Sequence, residues 1–334
     1  MRHERIDCFE NGEYQYAPAC GFRPNLRTYL HEGGDKRPCV LVIPGGGYRF
    51  VSPSEGEIVA KRFYGMGYQA FVGTYKVNLL DREPLKNRPL EDLSRMVRII
   101  RGRAEEFRVD PGRVVICGFS AGAHLCGSLC VHWQEVPDRN PRWAGVSNRP
   151  DGAILSYPVI TSGEFAHRDS FNALIGTEPS AEDLAWASLE TQVTENTPPV
   201  FLWQTVTDEI VPVENSYLMA MALKAAGVPF AHHVFPKGKH GLSLANGDWA
   251  NGRFGEPYTL EQPLCTEEAV KQGKAEASPA ARERIEGFCA LARISGDRQM
   301  GEPAPDAAVW PDLAAAWMSQ GDALVTSRGE EHED

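Results

Sequence analysis

Gly118-Phe119-Ser120-Ala121-Gly122 stands between the apolar run Val114 to Cys117 and an Ala/Leu-rich stretch. A serine at the sharp turn between a buried strand and a helix is presented as a nucleophile. The turn lifts its hydroxyl above the sheet edge, and the flanking glycines let strand and helix approach closely. The chemistry this suits is acyl transfer through a covalent serine intermediate. Upstream, Cys39 to Ile43 reads as a buried strand that runs into Pro44-Gly45-Gly46-Gly47-Tyr48. Acyl transfer places negative charge on the carbonyl oxygen in the transition state, and a glycine-rich turn can aim backbone N–H groups at that oxygen. Gly46 and Gly47, with the N–H of Ala121 just after the nucleophile, are the expected oxyanion hole. The glycine triplet lacks the Gly-Lys-Ser/Thr ending of a phosphate loop and the spacing of a dinucleotide fingerprint.

A serine nucleophile needs a base, and nine histidines are available. Where the nucleophile precedes both partners, the acid and then the base follow on loops after late strands. Pro199 to Thr205 has a strand pattern and leads into Val206-Thr207-Asp208-Glu209-Ile210-Val211-Pro212; Phe230 to Phe235 has another and leads into Pro236-Lys237-Gly238-Lys239-His240-Gly241. Asp208 and His240 occupy those two loops. The carboxylate would hold the imidazole tautomer while His240 takes the Ser120 proton and later returns it to the leaving group. His232 and His233 lie inside the strand pattern and read as structural, and His124, one helical turn after Ser120, reads as a hydrogen-bonding group beneath the elbow. Glu209 is the rival acid, but Asp208 comes first after the strand. Ser54-x-x-Glu57 has the form of a capping box, which makes Glu55 and Glu57 structural.

These residues have to be positioned by a frame. Apolar runs at 39–43, 69–75, 113–117, 152–157, 199–205 and 230–235 alternate with helix-like segments near 56–65, 88–107, 120–133, 181–190 and 213–226. Continuous apolar strands separated by helices predict an α/β fold, a mainly parallel central sheet with helices on both faces. Leu26 to His31 adds an edge strand, and Trp310 to Met318 a last helix on the sheet. The link from Pro158 to Pro198 offers material for a short lid only.

The four pieces together resemble the α/β-hydrolase superfamily, and more closely the bacterial acetyl esterase and lipase-like serine hydrolases related to carbohydrate acetyl esterases. The resemblance runs from about residue 38 to 245. Its marks are Ile43 to Tyr48, with Pro44 where the lipase-type loop has histidine, Gly118 to Leu125, Asp208 with Val211-Pro212-Val213, and His240-Gly241. It implies hydrolysis of short-chain, chiefly acetyl, esters, including acetylated sugars or oligosaccharides. The chain departs from that pattern in a longer segment at 246–303. Amide or peptide hydrolysis and lipase-like action are the alternatives on the same triad, and a non-catalytic binding protein is the alternative on the same fold.

At 334 residues and 42% apolar, one catalytic domain over 1–325 is expected, with the 246–303 segment inserted in it and an acidic tail at 326–334. A formal net charge of −11 argues against nucleic acid as a partner. No apolar stretch has the length of a membrane span, and the eight cysteines contain no C-x-x-C pair, so a reducing, cytoplasmic setting is expected. No cofactor and no metal are expected, since no His/Cys/Asp cluster has ligand spacing.

Overall fold

β-branched and aliphatic residues in short runs favour strands buried on both faces, and these runs build the sheet. The computed structural model describes residues 1–10, 12–14, 16–294 and 298–320. Among them eight strands form one sheet: β1 (Arg5–Asp7), β2 (Asn25–Tyr29), β3 (Arg37–Ile43), β4 (Gln69–Thr74), β5 (Val109–Phe119), β6 (Gly152–Ser156), β7 (Val200–Thr205) and β8 (Phe230–Phe235). Their order is β1-β2-β4-β3-β5-β6-β7-β8. The β1–β2 and β2–β4 pairs are antiparallel and the rest are parallel.

The helices of seven residues or more are α1 (Glu57–Gly65), α2 (Arg88–Gly102), α3 (Ala121–His132), α4 (Arg168–Ile175), α5 (Ala181–Ala187), α6 (Glu214–Ala225), α7 (Glu261–Lys271), α8 (Pro279–Arg293) and α9 (Trp310–Ser319). Strand side chains alternate between the two faces. Leu41, Ile43, Ile116 and Leu202 join a core with Val97 of α2, Leu125 of α3 and Leu223 of α6. Val40, Val42, Cys117 and Trp203 join the opposite core with Val59 of α1 and Trp310 of α9. The parallel α/β sheet read from the sequence is therefore the one formed, covered on both faces.

Several elements differ from expectation. The early strand is Asn25–Tyr29, and it is not the edge, because Arg5–Asp7 pairs outside it; three residues with two charges carry no apolar run to reveal such a strand. The Ser54-x-x-Glu57 capping box does not form. Gly56 is the N-cap of α1 with no side-chain cap, and Glu55 is turned into the interior. The helix expected over 88–107 breaks at Arg103, where a separate short turn Ala104–Phe107 begins. The low link after Pro158 holds α4 as well as α5. Its α5 begins at a true capping box of Ser180 with Asp183 and ends at Ala187, because Ser188 is extended. The 246–303 segment contains two longer helices, α7 and α8; the few apolar positions of Glu261–Lys271 hide the first. The expected tail at 326–334 lies outside the described residues.

Candidate active site

β5 ends at Phe119 and α3 begins at Ala121, so the whole turn is made by Ser120 at φ 51°, ψ −119°. Positive φ is costly for a residue with a side chain, on the order of 1–3 kcal/mol, and persists only where surroundings fix it. They do: Ser120 donates its N–H to the Ser156 carbonyl at 3.0 Å, and its carbonyl accepts from the His124 N–H at 3.0 Å. A Cβ on Gly122 would strike the carbonyl oxygens of Ile43 and Pro44, and one on Gly45 would come within 2.5 Å of the Phe119 carbonyl and 2.9 Å of Ser120 Cβ. The elbow and the glycine loop after β3 thus interlock backbone to backbone.

Sequence reasoning proposed Ser120, His240 and Asp208 from three distant segments, and the fold brings all three together. His240 Nε2 lies 2.8 Å from Ser120 Oγ, and His240 Nδ1 lies 2.7 Å from Asp208 Oδ2. Asp208 Oδ1 accepts from the Ile210 N–H at 3.0 Å and the Val211 N–H at 2.9 Å, which fixes the carboxylate and leaves its other oxygen for the imidazole. With a carboxylate at Nδ1, that nitrogen carries the proton and Nε2 is left to accept from the serine. The loop around His240 is tied on both sides. Trp249 Nε1 donates to the Gly241 carbonyl at 3.0 Å, and Trp310 Nε1 donates to the Ser243 carbonyl at 2.8 Å.

The three expected oxyanion donors lie in the two interlocked turns. Gly46 at φ 121°, Gly47 at φ 61° and Tyr48 at φ 57° form a left-handed stretch closed by the Arg49 and Phe50 N–H groups on the Gly46 carbonyl. None of the hydrogen bonds formed among the described residues uses the N–H of Gly46, Gly47 or Ala121 as donor. Ala121 also opens α3, whose helix dipole favours negative charge at that end. Gly45 is not available in the same way, since its N–H is given to Glu55 Oε2 at 2.7 Å.

That bond exposes a residue that sequence reasoning treated as part of a cap. Glu55, 3% exposed, accepts from the Gly45 N–H and, through Oε1, from the Tyr157 hydroxyl at 2.7 Å. The Tyr157 oxygen in turn accepts from the Ser243 N–H at 3.0 Å, and its ring meets the His240 imidazole edge-on with centroids 5.0 Å apart. One buried carboxylate therefore links the glycine loop to the histidine loop. Burial raises its pKa, opposed by the Tyr157 and Gly45 bonds and by the nearby His240.

His124 does lie beneath the elbow. Its Nε2 must donate to the Ala187 carbonyl at 2.9 Å, so its Nδ1 accepts from the Tyr48 hydroxyl at 2.8 Å; burial lowers its pKa to about 4 and keeps it neutral. His232 bonds Ser216 Oγ at 3.1 Å and His233 packs on Phe201, both away from the site. His167, not singled out by sequence, borders the glycine loop after β3: its Cε1 is 4.0 Å from where a Gly47 Cβ would stand, and Nδ1 is 2.7 Å from Ser170 Oγ. Its pKa is lowered, by burial first and then by His240. Only its place at the start of α4, in a link with no strand pattern, would have pointed to it. Among the described residues no group of three or more His, Cys, Asp or Glu is placed to hold a metal, and no helix is long and apolar enough to cross a membrane.

The prolyl oligopeptidase family model matches residues 81–251, the stretch that holds Ser120, Asp208 and His240. An endo-1,4-β-xylanase B of Butyrivibrio fibrisolvens is 50% identical over 270 residues, 81% of this chain and 42% of that protein. An acetylxylan esterase of Xylanibacter ruminicola is 29% identical over 233 residues, 68% of this chain and 45% of that protein. The chain spans less than half the length of these two relatives. The crystal structure of an acetyl ester-xyloside bifunctional hydrolase from Caldicellulosiruptor lactoaceticus superimposes with a TM-score of 0.68 at 37% identity, covering 81% of this chain and 97% of that one. By the family match the chain belongs to the prolyl oligopeptidase family of the α/β-hydrolase superfamily, and by sequence and structural likeness it is similar to carbohydrate acetyl esterase-like serine hydrolases.

Proposed function

We propose that this chain is a serine carboxylesterase that removes short acyl groups, acetyl above all, from acetylated sugars such as xylosides. The observation that carries the proposal is the hydrogen-bonded line Asp208–His240–Ser120, 2.7 and 2.8 Å, beside three uncommitted backbone N–H groups. In the proposed reaction His240 Nε2 takes the Ser120 proton as Oγ bonds to the ester carbonyl carbon, and the carbonyl oxygen takes up the negative charge facing Gly46, Gly47 and Ala121. The tetrahedral intermediate collapses by breaking the bond to the alcohol oxygen, which receives the proton from His240. Water then repeats the sequence on the acyl-serine, releasing the carboxylic acid and restoring the hydroxyl. Asp208 holds the imidazole and stabilises the imidazolium throughout. No step calls for a metal or cofactor.

The names of two similar proteins, an acetylxylan esterase and an acetyl ester-xyloside hydrolase, support ester over amide substrates and sugar over lipid alcohols. Glycoside cleavage, suggested by the xylanase name, would need two carboxyl groups facing one substrate about 5–9.5 Å apart. At this site Asp208 is engaged by two N–H groups and the imidazole, and Glu55 by Gly45 and Tyr157, which argues against that role for either. A cytoplasmic setting, supported by eight free cysteines, is part of the proposal and is tested by cell fractionation. The central test is labelling by a fluorophosphonate probe together with turnover of acetate esters and acetylated xylosides. A protein that labels at Ser120 and hydrolyses them is the proposed enzyme; a folded protein that does neither is not.

A further inference from the structure

A cavity of about 410 Å³ lies between the stretch that follows the proposed oxyanion loop and the segment that follows the histidine loop. Phe50, Pro53 and Ser54 line it from the first side, and Phe254, Leu291 and Met300 from the second. Both walls are tied to the site. On the first, Phe50 closes the oxyanion turn by donating its N–H to the Gly46 carbonyl at 3.2 Å, and Ser52 donates its N–H to the Gly45 carbonyl at 3.0 Å. On the second, the Met300 N–H bonds the Ala250 carbonyl at 2.8 Å, and the Met300 carbonyl accepts from Lys239 Nζ. Lys239 precedes His240, and Trp249, next to Ala250, holds the Gly241 carbonyl that follows it.

We propose that this cavity is the alcohol subsite of the esterase and takes one pyranose ring of the acetylated sugar. The inference rests on the esterase reading above. An ester whose carbonyl oxygen faces the Gly46 and Gly47 amides must turn its alkoxy oxygen toward His240 Nε2, because that nitrogen returns the proton. The alcohol half therefore extends on the side bounded by the oxyanion loop and the histidine loop, which are the two loops that anchor this cavity's walls. The lining suits a pyranose, which has apolar C–H faces and a rim of hydroxyls. Two phenylalanine rings, Leu291 and Met300 supply flat apolar contact, and the Ser52 and Ser54 hydroxyls, 2.9 Å apart, supply polar partners. Phe50 is held in place by stacking on Phe288 of α8, with centroids 4.3 Å apart and rings 23° from parallel. The volume falls within the range of about 300–1,000 Å³ usual for small-molecule sites. The segment that follows the histidine loop thereby becomes the element that selects the alcohol.

The test compares two acetates that share an acyl group, ethyl acetate and methyl 2-O-acetyl-β-D-xylopyranoside, in the wild type and in Leu291→Trp, which fills the cavity. The expected result is a loss of about tenfold or more in kcat/KM on the sugar acetate, carried by KM, with ethyl acetate within about twofold. Equal losses on both substrates, or no change on either, overturn the assignment. A second measurement is independent of turnover: calorimetric titration of Ser120→Ala, and of Ser120→Ala combined with Leu291→Trp, with methyl β-D-xylopyranoside. Binding that the tryptophan abolishes, in a protein with unchanged thermal unfolding, sustains the subsite even where neither acetate is hydrolysed and the esterase reading has fallen. Binding that is absent in the first protein, or unaffected in the second, overturns it.

Discussion

Replacing Glu55 by Gln changes one atom and removes a charge from the bridge between the two site loops. In the wild type both carboxylate oxygens accept, one from the Gly45 N–H and one from the Tyr157 hydroxyl, each at 2.7 Å. A glutamine has one acceptor oxygen. If that oxygen keeps the Gly45 N–H, the NH₂ group faces the Tyr157 oxygen, and the tyrosine proton loses its acceptor. Hydrogen bonds to charged groups are worth about 1.5–3 kcal/mol and neutral ones about 0.5–1.5, so the exchange weakens the bridge by roughly 2 kcal/mol in all. Expressed wholly in the transition state, that is about thirtyfold; shared with the resting fold, it is nearer tenfold. We therefore expect Glu55→Gln to lower kcat/KM on a short acetate ester by about ten- to thirtyfold at neutral pH.

The pH dependence separates positioning from mere loss of structure. Burial raises the Glu55 pKa, so the wild type loses this carboxylate's support as pH falls through that raised value, whereas the glutamine variant has no such charge to lose. The ratio of wild-type to variant kcat/KM should accordingly be greatest at neutral pH and shrink in acid. Steady-state rates across pH, with thermal unfolding of both proteins as control, measure it. A variant within twofold of wild type at neutral pH refutes the bridge outright. A loss that is constant across pH and matched by lower thermal stability makes Glu55 a packing residue. Tyr157→Phe should give a smaller loss, and the double variant less than the product of the two, since the residues share one bond.

Ser120→Ala should abolish probe labelling and lower turnover by about 10⁴- to 10⁶-fold with the fold intact, and His240→Ala should be as damaging, with the double variant scarcely worse because the two act as one unit; additive losses refute that. His124 is held neutral with a pKa near 4 against about 6.5 in an unfolded chain, so its contribution is complete above pH about 6.5 and is lost as pH falls to about 4, about 3 kcal/mol in all. Urea unfolding should show that acid loss in the wild type and a flatter profile in His124→Gln, and equal slopes would contradict it. Acetyl and propionyl esters should be turned over better than chains of about eight carbons, because the link holding α4 and α5 is short and packs Phe171, Leu174 and Leu189 into the core, leaving little wall for a long chain. Each methylene that met such a wall would add about 0.8 kcal/mol, so kcat/KM rising steadily to octanoyl esters would show that the wall exists.

The frame was legible because it is written in local runs. Cys39 to Ile43, Val114 to Cys117, Pro199 to Thr205 and Phe230 to Phe235 are each apolar enough to announce a strand, and the glycines at 118 and 122 announce the elbow. Arg5–Asp7 and Glu261–Lys271 were missed for the converse reason. The strand is held by pairing with β2, and the helix by its contacts with α8, the turn at Ala17–Ala19 and the Val77 backbone, so neither has a pattern of its own. The Ser54-x-x-Glu57 pair misled because capping chemistry is also local, while the demand on Glu55 comes from Gly45 and from Tyr157, 102 residues away.

The same contrast explains why the Ser120–His240–Asp208 line could be read and its support could not. In a parallel sheet every strand ends at the same edge, so the residues that follow β3, β5, β6, β7 and β8 must gather there whatever their side chains. Pairing fixes the alignment: Ile43 stands opposite Gly118, Phe119 opposite Ser156, and Ser156 opposite Trp203. The glycine loop, Ser120, Tyr157, Asp208 and His240 all leave from that one edge, and a sequence that reveals strand ends reveals them as a group. Chain order then separates the proposed nucleophile, acid and base, since each role has its own residue type. Tyr157 had equal claim by position, following β6 directly. It was passed over because a tyrosine after a strand signals no chemistry until the carboxylate it bonds is known, and that carboxylate enters from the turn before α1, behind the glycine loop. What a strand-end reading cannot supply is the side chain that reaches across from another loop, and at this site that side chain is Glu55.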